Sequence, residues 1–576
     1  MRTLDECKNE RRRWLESERV DEAAKAELLS YSDEELRAAM NGYMNFGTAG
    51  LRAKMGAGTA LMNVYTVAHA TKALADYILS CGGDAARRGV AIAYDSRINS
   101  PEFSMRAAEV LSAAGITVYL YGELRPTPVL SFALRELGCI AGINVTASHN
   151  PSEYNGYKVY WEDGAQIGPE QANAISALIA KTDILSGVPA ASEARHELIL
   201  PMPAEIDEKY RECVLAQQVD PSMIPAMADR MKIVYTPLHG AGITMVPEVL
   251  KRAGVKNLYI VEKQSVPDGR FPTLKFPNPE FPEAFTLGRE IADREGADLV
   301  IATDPDSDRV GAAARDKNGE FRCITGNQMG SLLLDYIITA HRKNGTMPDE
   351  PYAVKSIVST ALAEEICRRS GVKMYDVLTG FKYIGEVIKR HEKEGHGSFL
   401  LGFEESYGYL KGTYARDKDA VVATLLICEM ASYYAHKNMT LCDAVDDIFS
   451  RYGCYCERTV SFYFDTPDGS ERMAAMTAAL RADVPEKIAG RTVKTIRDYK
   501  TATITDTATG KTSPTGLPCS DILYYVCDGC ITVVRPSGTE PKLKIYFMAN
   551  GADRAEAEGN IDAALSSMKE IMHIEQ

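Results

Sequence analysis

Three times along this chain the same order of elements is written in its hydrophobic pattern: apolar strand, amphipathic helix, strand, helix, strand. The first array runs through strand Val90 to Arg97, helix Pro101 to Ala114, strand Thr117 to Leu124, helix Thr127 to Gly138 and strand Ala141 to Ser148. The second takes Met231 to Leu238, Ile243 to Gly254, Asn257 to Lys263, Pro282 to Gly296 and Ala297 to Asp304. The third takes Tyr352 to Thr360, Ala361 to Ser370, Val372 to Thr379, Phe381 to Glu392 and Ser398 to Glu405. Such a β-α-β-α-β order requires right-handed crossovers and a mainly parallel sheet. The three arrays share architecture without visible sequence similarity.

Beyond about residue 455 the pattern changes to alternating strands (Tyr455 to Phe464, Lys542 to Met548) with helices Ser470 to Arg481 and Ala555 to Ile571. The fold class is therefore α/β: three similar mixed-sheet α/β domains around a central cleft, plus a smaller C-terminal α+β domain. The expected boundaries are 1–212, 213–325, 326–453 and 454–576. Cys527-Asp528-Gly529-Cys530 reads as a hairpin turn and not as half a zinc site, because Asp-Gly joins two apolar runs.

Each third strand ends in a polar loop, where open α/β sheets place their ligand sites. The first, Val145-Thr146-Ala147-Ser148-His149-Asn150-Pro151-Ser152, sets a hydroxyl nucleophile in a turn. The second, Asp304-Pro305-Asp306-Ser307-Asp308-Arg309, offers three carboxylates at alternate positions, hard oxygen ligands that suit Mg²⁺. The third carries Glu404 and Ser406. Folding the arrays around one cleft would bring these chemistries together.

With 65 Lys and Arg against 79 Asp and Glu, the net charge is -14, and no basic face or arm stands out, which excludes a general nucleic-acid binder. An anionic substrate then needs a local cationic cluster, and Arg52, Lys158, Arg309, Lys382, Arg535 and Lys544 supply candidates. The first residues lack the apolar core of a signal peptide, and nowhere do about eighteen apolar residues run together. The expectation is a cytoplasmic protein with no membrane partner. Its 13 scattered cysteines fit reduced thiols.

Six segments taken in order resemble the α-D-phosphohexomutase superfamily, most closely its phosphoglucomutase branch: Phe46-Gly47-Thr48-Ala49-Gly50-Leu51-Arg52, the Ser148 loop, the Asp304 to Arg309 loop, Thr379-Gly380-Phe381-Lys382, Gly402-Phe403-Glu404-Glu405-Ser406-Tyr407-Gly408, and Arg535-Pro536-Ser537-Gly538-Thr539-Glu540-Pro541-Lys542. The resemblance implies that Ser148 is carried phosphorylated and passes its phosphoryl group to a hexose monophosphate. The resulting bisphosphate turns over and returns its other phosphate to Ser148. Mg²⁺ would sit on Asp304, Asp306 and Asp308 with a phosphoserine oxygen of Ser148, while Arg52 and Arg309 steady the remaining oxygens. Arg535, Ser537, Gly538 and Thr539 would grip the phosphate that is not reacting, and Glu404 and Ser406 would bind sugar hydroxyls. Glucose 1,6-bisphosphate is the implied activator, and sugar phosphates the partners of a monomer or homodimer.

An acid/base must handle the proton of the attacking hydroxyl. Lys158 ranks slightly ahead of Lys382, and His149 is either catalytic or an organiser of the nucleophile loop. Some members of the superfamily place a histidine after the Glu-x-Ser element, but here those positions read Tyr407-Gly408-Tyr409. Glucose 1-phosphate and glucose 6-phosphate are the implied pair. Mannose or pentose phosphates, a hexose bisphosphate synthase, and a sugar-phosphate-binding regulator without turnover are the alternatives.

Other readings of these motifs fare worse. An EF-hand would need glycine where Arg309 stands and glutamate where Arg315 stands. His239-Gly240-Ala241-Gly242 lacks the third glycine of a dinucleotide turn, having Met245 there. Pro267-Asp268-Gly269-Arg270-Phe271-Pro272 reads as a rigid surface loop and is assigned no chemistry.

Overall fold

The structure, a computed structural model, describes residues 2–44, 46–47, 50–464, 469–537 and 542–574. The chain divides into two compact units. One comprises Met1–Ile324, Gly385–Gly395 and Ser406–Thr440, the other Thr325–Ile384, His396–Glu405 and Leu441–Gln576.

In the first unit the sheet is built from β1 (Gly50–Lys54), β2 (Val90–Tyr94), β3 (Val118–Leu120), β4 (Ala141–Val145), β5 (Tyr154–Trp161) and β6 (Ile199–Pro201), in the order β1-β5-β4-β2-β3-β6. The run from β4 through β2 and β3 to β6 is parallel, as the crossover pattern requires. Every residue of β2 and β4 is buried, which is why these strands read as unbroken apolar runs. Helices Ser100–Ala113 and Thr127–Glu136 pack on them. At the other edge β5 runs antiparallel to both β4 and β1. Neither β1 nor β5 was expected as a strand, and this pair makes the sheet mixed. Lys158 thereby gains a fixed register, opposite Asn144 on β4 and Gly50 on β1.

The second sheet of this unit comprises β7 (Lys232–Thr236), β8 (Asn257–Ile260), β9 (Leu299–Thr303), β10 (Val310–Arg315) and β11 (Phe321–Ile324), ordered β11-β10-β9-β7-β8. Here β9, β7 and β8 are parallel, and β10 returns antiparallel to β9. The Asp304 to Arg309 loop is therefore the tight connection between two paired strands. Helix Ala420–His436, capped by the Asp419 side chain and buried almost all round, completes the unit.

In the second unit β12 (Pro351–Ser356) runs parallel to β13 (Lys373–Val377) and to β14 (Ser398–Glu404). Thr325 caps helix Gly326–Asn344 through a reciprocal capping box with Gln328, and Gly345, in the left-handed region, ends it. The C-terminal part is antiparallel: Cys454–Tyr463 pairs with Lys542–Gly551, which pairs with Cys530–Pro536. Asp528 and Gly529 close the hairpin between Leu523–Cys527 and Cys530–Pro536, with Cys527 facing Cys530 as free thiols. Among the described residues no helix is long and apolar enough to cross a membrane.

Candidate active site

The serine loop begins where β4 stops. Ser148 has φ of 51°, a left-handed conformation that costs a β-carbon-bearing residue free energy and must be held by its surroundings. Its N–H donates to Thr146 Oγ1 (2.8 Å), and the Thr146 hydroxyl donates to Asp95 Oδ2 (2.5 Å). The Ser148 hydroxyl, only 2 % exposed, donates to Asp304 Oδ2 at 2.7 Å and lies 3.2 Å from His149 Nδ1. Loops at the ends of the third strands of the first two arrays thus meet.

The carboxylates of Asp304, Asp306 and Asp308 are buried, with ligand atoms within 4.8 Å of one another. Asp304 Oδ1 accepts from the N–H groups of Asp308 (3.0 Å) and Arg309 (2.9 Å). Asp306 Oδ2 accepts from the Thr127 hydroxyl (3.0 Å) and from Lys158 Nζ (2.8 Å). Asp308 Oδ2 lies 3.3 Å from Lys158 Nζ and 3.1 Å from Lys418 Nζ. Oδ1 of Asp306 and Oδ1 of Asp308 are buried without a hydrogen-bond partner among the described residues. Three hard carboxylates with two oxygens left over suit a hard divalent cation.

Charge is balanced locally. Burial, and then the repulsion of Asp306 and Asp308, holds the Asp304 carboxyl well above the usual range. Burial also opposes ionisation of Asp308, but Lys418, Lys158 and Arg309 outweigh it and hold that carboxyl well below. Burial disfavours the Lys158 ammonium, yet Asp306 and Asp308 raise its pKa on balance. The His149 imidazole is pushed well below its ordinary pKa by burial and by Arg309 and Arg52, and stays neutral at physiological pH.

The other candidate residues are distributed over both units of the chain. Arg52, exposed on β1, donates to Asn150 Oδ1 of the serine loop at 3.2 Å. Arg309 Nη1 donates to Glu280 Oε1. Ser406 precedes Tyr407, whose carbonyl accepts from Val310 N–H (3.1 Å), one residue beyond Arg309. In the second unit, Glu404 at the end of β14 accepts from Gly380 N–H (2.7 Å), the Lys382 ammonium lies 5.3 Å from the Tyr383 ring centre, and Arg535 Nη1 donates to the Tyr546 hydroxyl at 3.4 Å. Ser537 N–H donates to the Lys542 carbonyl. Gly538 and Thr539 lie outside the described residues.

Sequence reasoning passed over Asp95, Arg97, Glu280 and Lys418. The sequence pattern runs the first strand on to Arg97, whereas β2 stops at Tyr94, and the charged pair of Asp95 and Arg97 directly after the apolar run is the signal of that end. Arg416-Asp417-Lys418-Asp419 precedes an apolar helix and has the composition of a solvated cap, yet Lys418 is only 8 % exposed and spans Asp417 Oδ1 (3.0 Å) and Asp308 Oδ2. The Pro267 to Pro272 loop is likewise no mere surface feature, since Gly269 and Phe271 are buried.

Models of four successive domains of one family match the chain: phosphoglucomutase/phosphomannomutase alpha/beta/alpha domains I, II and III at residues 43–185, 208–319 and 325–452, and the C-terminal domain at 480–560. Among curated proteins it is similar to the phosphoglucomutase of Staphylococcus saprophyticus, 35% identical over 540 residues covering 93% of this chain and 95% of that one. The phosphoglucomutase of Staphylococcus epidermidis is 36% identical over 517 residues, covering 89% and 92%. Among solved structures the fold is similar to pp63/parafusin, a phosphoglucomutase from Paramecium, in its open form, with a TM-score of 0.67, 16% identity and coverage of 92% and 95%.

Proposed function

Because the chain belongs to the phosphoglucomutase/phosphomannomutase family, we propose that it interconverts α-D-glucose 1-phosphate and glucose 6-phosphate through a phosphorylated Ser148 and a glucose 1,6-bisphosphate intermediate. The enzyme is a mutase of the isomerase class. The observation that carries the site assignment is the 2.7 Å hydrogen bond from Ser148 Oγ to Asp304 Oδ2, at the rim of a buried three-carboxylate cluster.

Phosphoryl transfer asks a protein for positioning and charge stabilisation more than for covalent chemistry of its own. Asp304, Asp306 and Asp308 would hold Mg²⁺, which when bound offsets the roughly two negative charges of phosphoserine and polarises the phosphorus. Asp304 Oδ2 stands where it can hold the proton of the Ser148 hydroxyl when the phosphoryl group returns. Arg52 and Arg309 supply fixed positive charge beside the serine loop, and neutral His149 orders it. Lys158, ahead of Lys382, is assigned the proton exchanged with the sugar hydroxyl. Its ammonium is oriented by Asp306 and Asp308, so it is set up to donate. Glu404 and Ser406 bind sugar hydroxyls, and Arg535, Ser537, Gly538 and Thr539 bind the idle phosphate. Glucose 1,6-bisphosphate would activate the enzyme by charging Ser148. The assignment includes a cytoplasmic location, sugar phosphates as the only partners, and a monomer or homodimer of four domains.

Intact-mass analysis tests the covalent step. One phosphoryl adduct mapping to Ser148, discharged by glucose 1-phosphate, is expected, and Ser148→Ala should be inactive while still binding sugar phosphate. Turnover by Ser148→Ala would refute it. Relative rates on glucose, mannose and ribose 1-phosphates test the sugar, with glucose expected to be fastest.

A further inference from the structure

Arg97 carries a task that the reaction chemistry does not assign to it. Its side chain is buried, and its guanidinium is spent on the serine loop: Nη1 donates to the carbonyls of Pro151 (2.8 Å) and Tyr154 (2.9 Å), Nη2 to those of Ser148 (2.5 Å) and Asn150. Asp95 Oδ2 sits 3.4 Å from Nε, and Asp95 Oδ1 accepts from Arg97 N–H (2.9 Å). One planar cation therefore gathers four carbonyl oxygens spanning the turn from Ser148 to Tyr154. The turn's own N–H groups close part of it, Asn150 N–H on the Ala147 carbonyl (3.1 Å), Tyr154 N–H on the Pro151 carbonyl (3.1 Å) and Ser148 N–H on Thr146 Oγ1 (2.8 Å), and the guanidinium supplies the donors for the Ser148 and Asn150 carbonyls.

Arg97 is itself held from outside its sheet. The Phe271 ring lies 5.1 Å from the guanidinium carbon, buried at 2 % exposure and with φ of 49°. Two residues earlier, Gly269 packs backbone against backbone, since a β-carbon there would lie 2.4 Å from Ile98 N and 2.7 Å from the Arg97 carbonyl carbon. The loop bearing both is tied to the turn after β7. Asp268 N–H donates to the His239 carbonyl (3.2 Å), while His239 Nδ1 and Nε2 bond the Val266 carbonyl (3.1 Å) and the Thr273 hydroxyl (2.9 Å). The second α/β array, which supplies the aspartates, thus also braces the serine turn from behind.

We infer that Arg97 and Phe271 are positioning residues for Ser148: Phe271 seats the guanidinium, and the guanidinium fixes the turn so that Oγ is held against the aspartate cluster. The inference rests on the assignment of Ser148 as the phosphoryl carrier. Misplacing a reacting atom by about 1 Å can cost on the order of a hundredfold in rate without weakening binding, so the effect should fall on kcat.

The test compares wild type, Phe271→Leu, Arg97→Lys and Ser148→Ala by kcat and KM for glucose 1-phosphate, by ³¹P NMR of the phosphorylated protein, and by circular dichroism. Leucine keeps most of the buried bulk but removes the ring face. The expected result for Phe271→Leu is a wild-type fold, KM within about twofold, kcat lowered by roughly tenfold or more, and a shifted or broadened phosphoserine resonance. Arg97→Lys should lower kcat further, since an ammonium cannot reach four carbonyls. Unchanged kcat and resonance in Phe271→Leu, with Ser148→Ala inactive, would overturn the positioning role and leave the nucleophile assignment standing. An active Ser148→Ala without adduct at 148 would instead remove the premise. Should Phe271→Leu fail to fold, Phe271→Met replaces it, and a lowered melting temperature with kcat unaltered would reduce the role to packing.

Discussion

Lys418 Nζ lies 3.1 Å from Asp308 Oδ2, and Lys158 Nζ lies 3.3 Å from the same oxygen, so two ammonium groups share one carboxylate at the centre of the proposed metal site. Ammonium donors and a divalent cation are competitors for such oxygens. Lys418→Met should therefore tighten Mg²⁺ binding, by roughly tenfold for the loss of one competing charge, and Lys158→Met should do the same. Titration calorimetry of the two variants checks this. Weaker binding in both would mean that the lysines shape the site instead of competing for it.

Removing the metal should lower stability. The three buried carboxylates repel one another, and a cation bound only by the native state adds RT ln(1 + [L]/Kd), about 2.7 kcal/mol at a hundredfold excess over Kd. Thermal melts of the protein after chelation and after Mg²⁺ addition should differ by a few degrees. Asp306→Asn should abolish that difference.

The architecture of this region was legible where hydrophobicity alternates with the periods of buried strands and amphipathic helices. Strand Ala141–Val145 followed by the Ser148 turn, and Leu299–Thr303 followed by Asp304, stand where the pattern places them. The pairing of β1 and β5 was not legible, because Tyr154 to Trp161 mixes glycine, lysine and aromatics with no simple alternation. Its antiparallel register depends on a partner about a hundred residues earlier in the chain. Lys418 was hidden for a related reason. A charged run before a helix is ordinarily solvated, and only tertiary packing, with Ala420 N–H donating to the Ser307 carbonyl, turns this one inward. Phe271 was lost to the assumption that a Pro and Gly loop has nothing beneath it.

Gly330 sits on helix Gly326–Asn344 against β14, and a β-carbon there would meet the Phe403 ring at 2.4 to 2.5 Å. Phe403 is fully buried and directly precedes Glu404, so the ring cannot swing away without moving the strand end. Gly330→Ala should destabilise the protein by about 1–3 kcal/mol, the usual scale of overpacking. Since Glu404 is assigned to sugar binding, KM should rise with it. Denaturant melts and steady-state kinetics on one preparation check both, and a stable variant with raised KM would separate the two effects.

Glu457, on the strand Cys454–Tyr463, has its Oε1 buried without a partner among the described residues. Burial pushes its carboxyl up to about 7 from an ordinary 4.5, against hydrogen bonds with Thr360 and Asn327 that act the other way. A carboxyl whose pKa is raised by folding binds its proton more tightly in the native state. Its contribution is complete below about pH 4.5 and is lost as pH rises through 7, for a total on the order of 3 kcal/mol. Glu457→Gln, which keeps the shape and cannot ionise, should flatten that part of the stability profile and be the more stable protein at pH 8. Urea melts of both proteins from pH 5 to pH 8 give the comparison. Parallel profiles would mean that Glu457 is already ionised in the folded state, with Lys355, whose charge lowers its pKa, as the counter-charge.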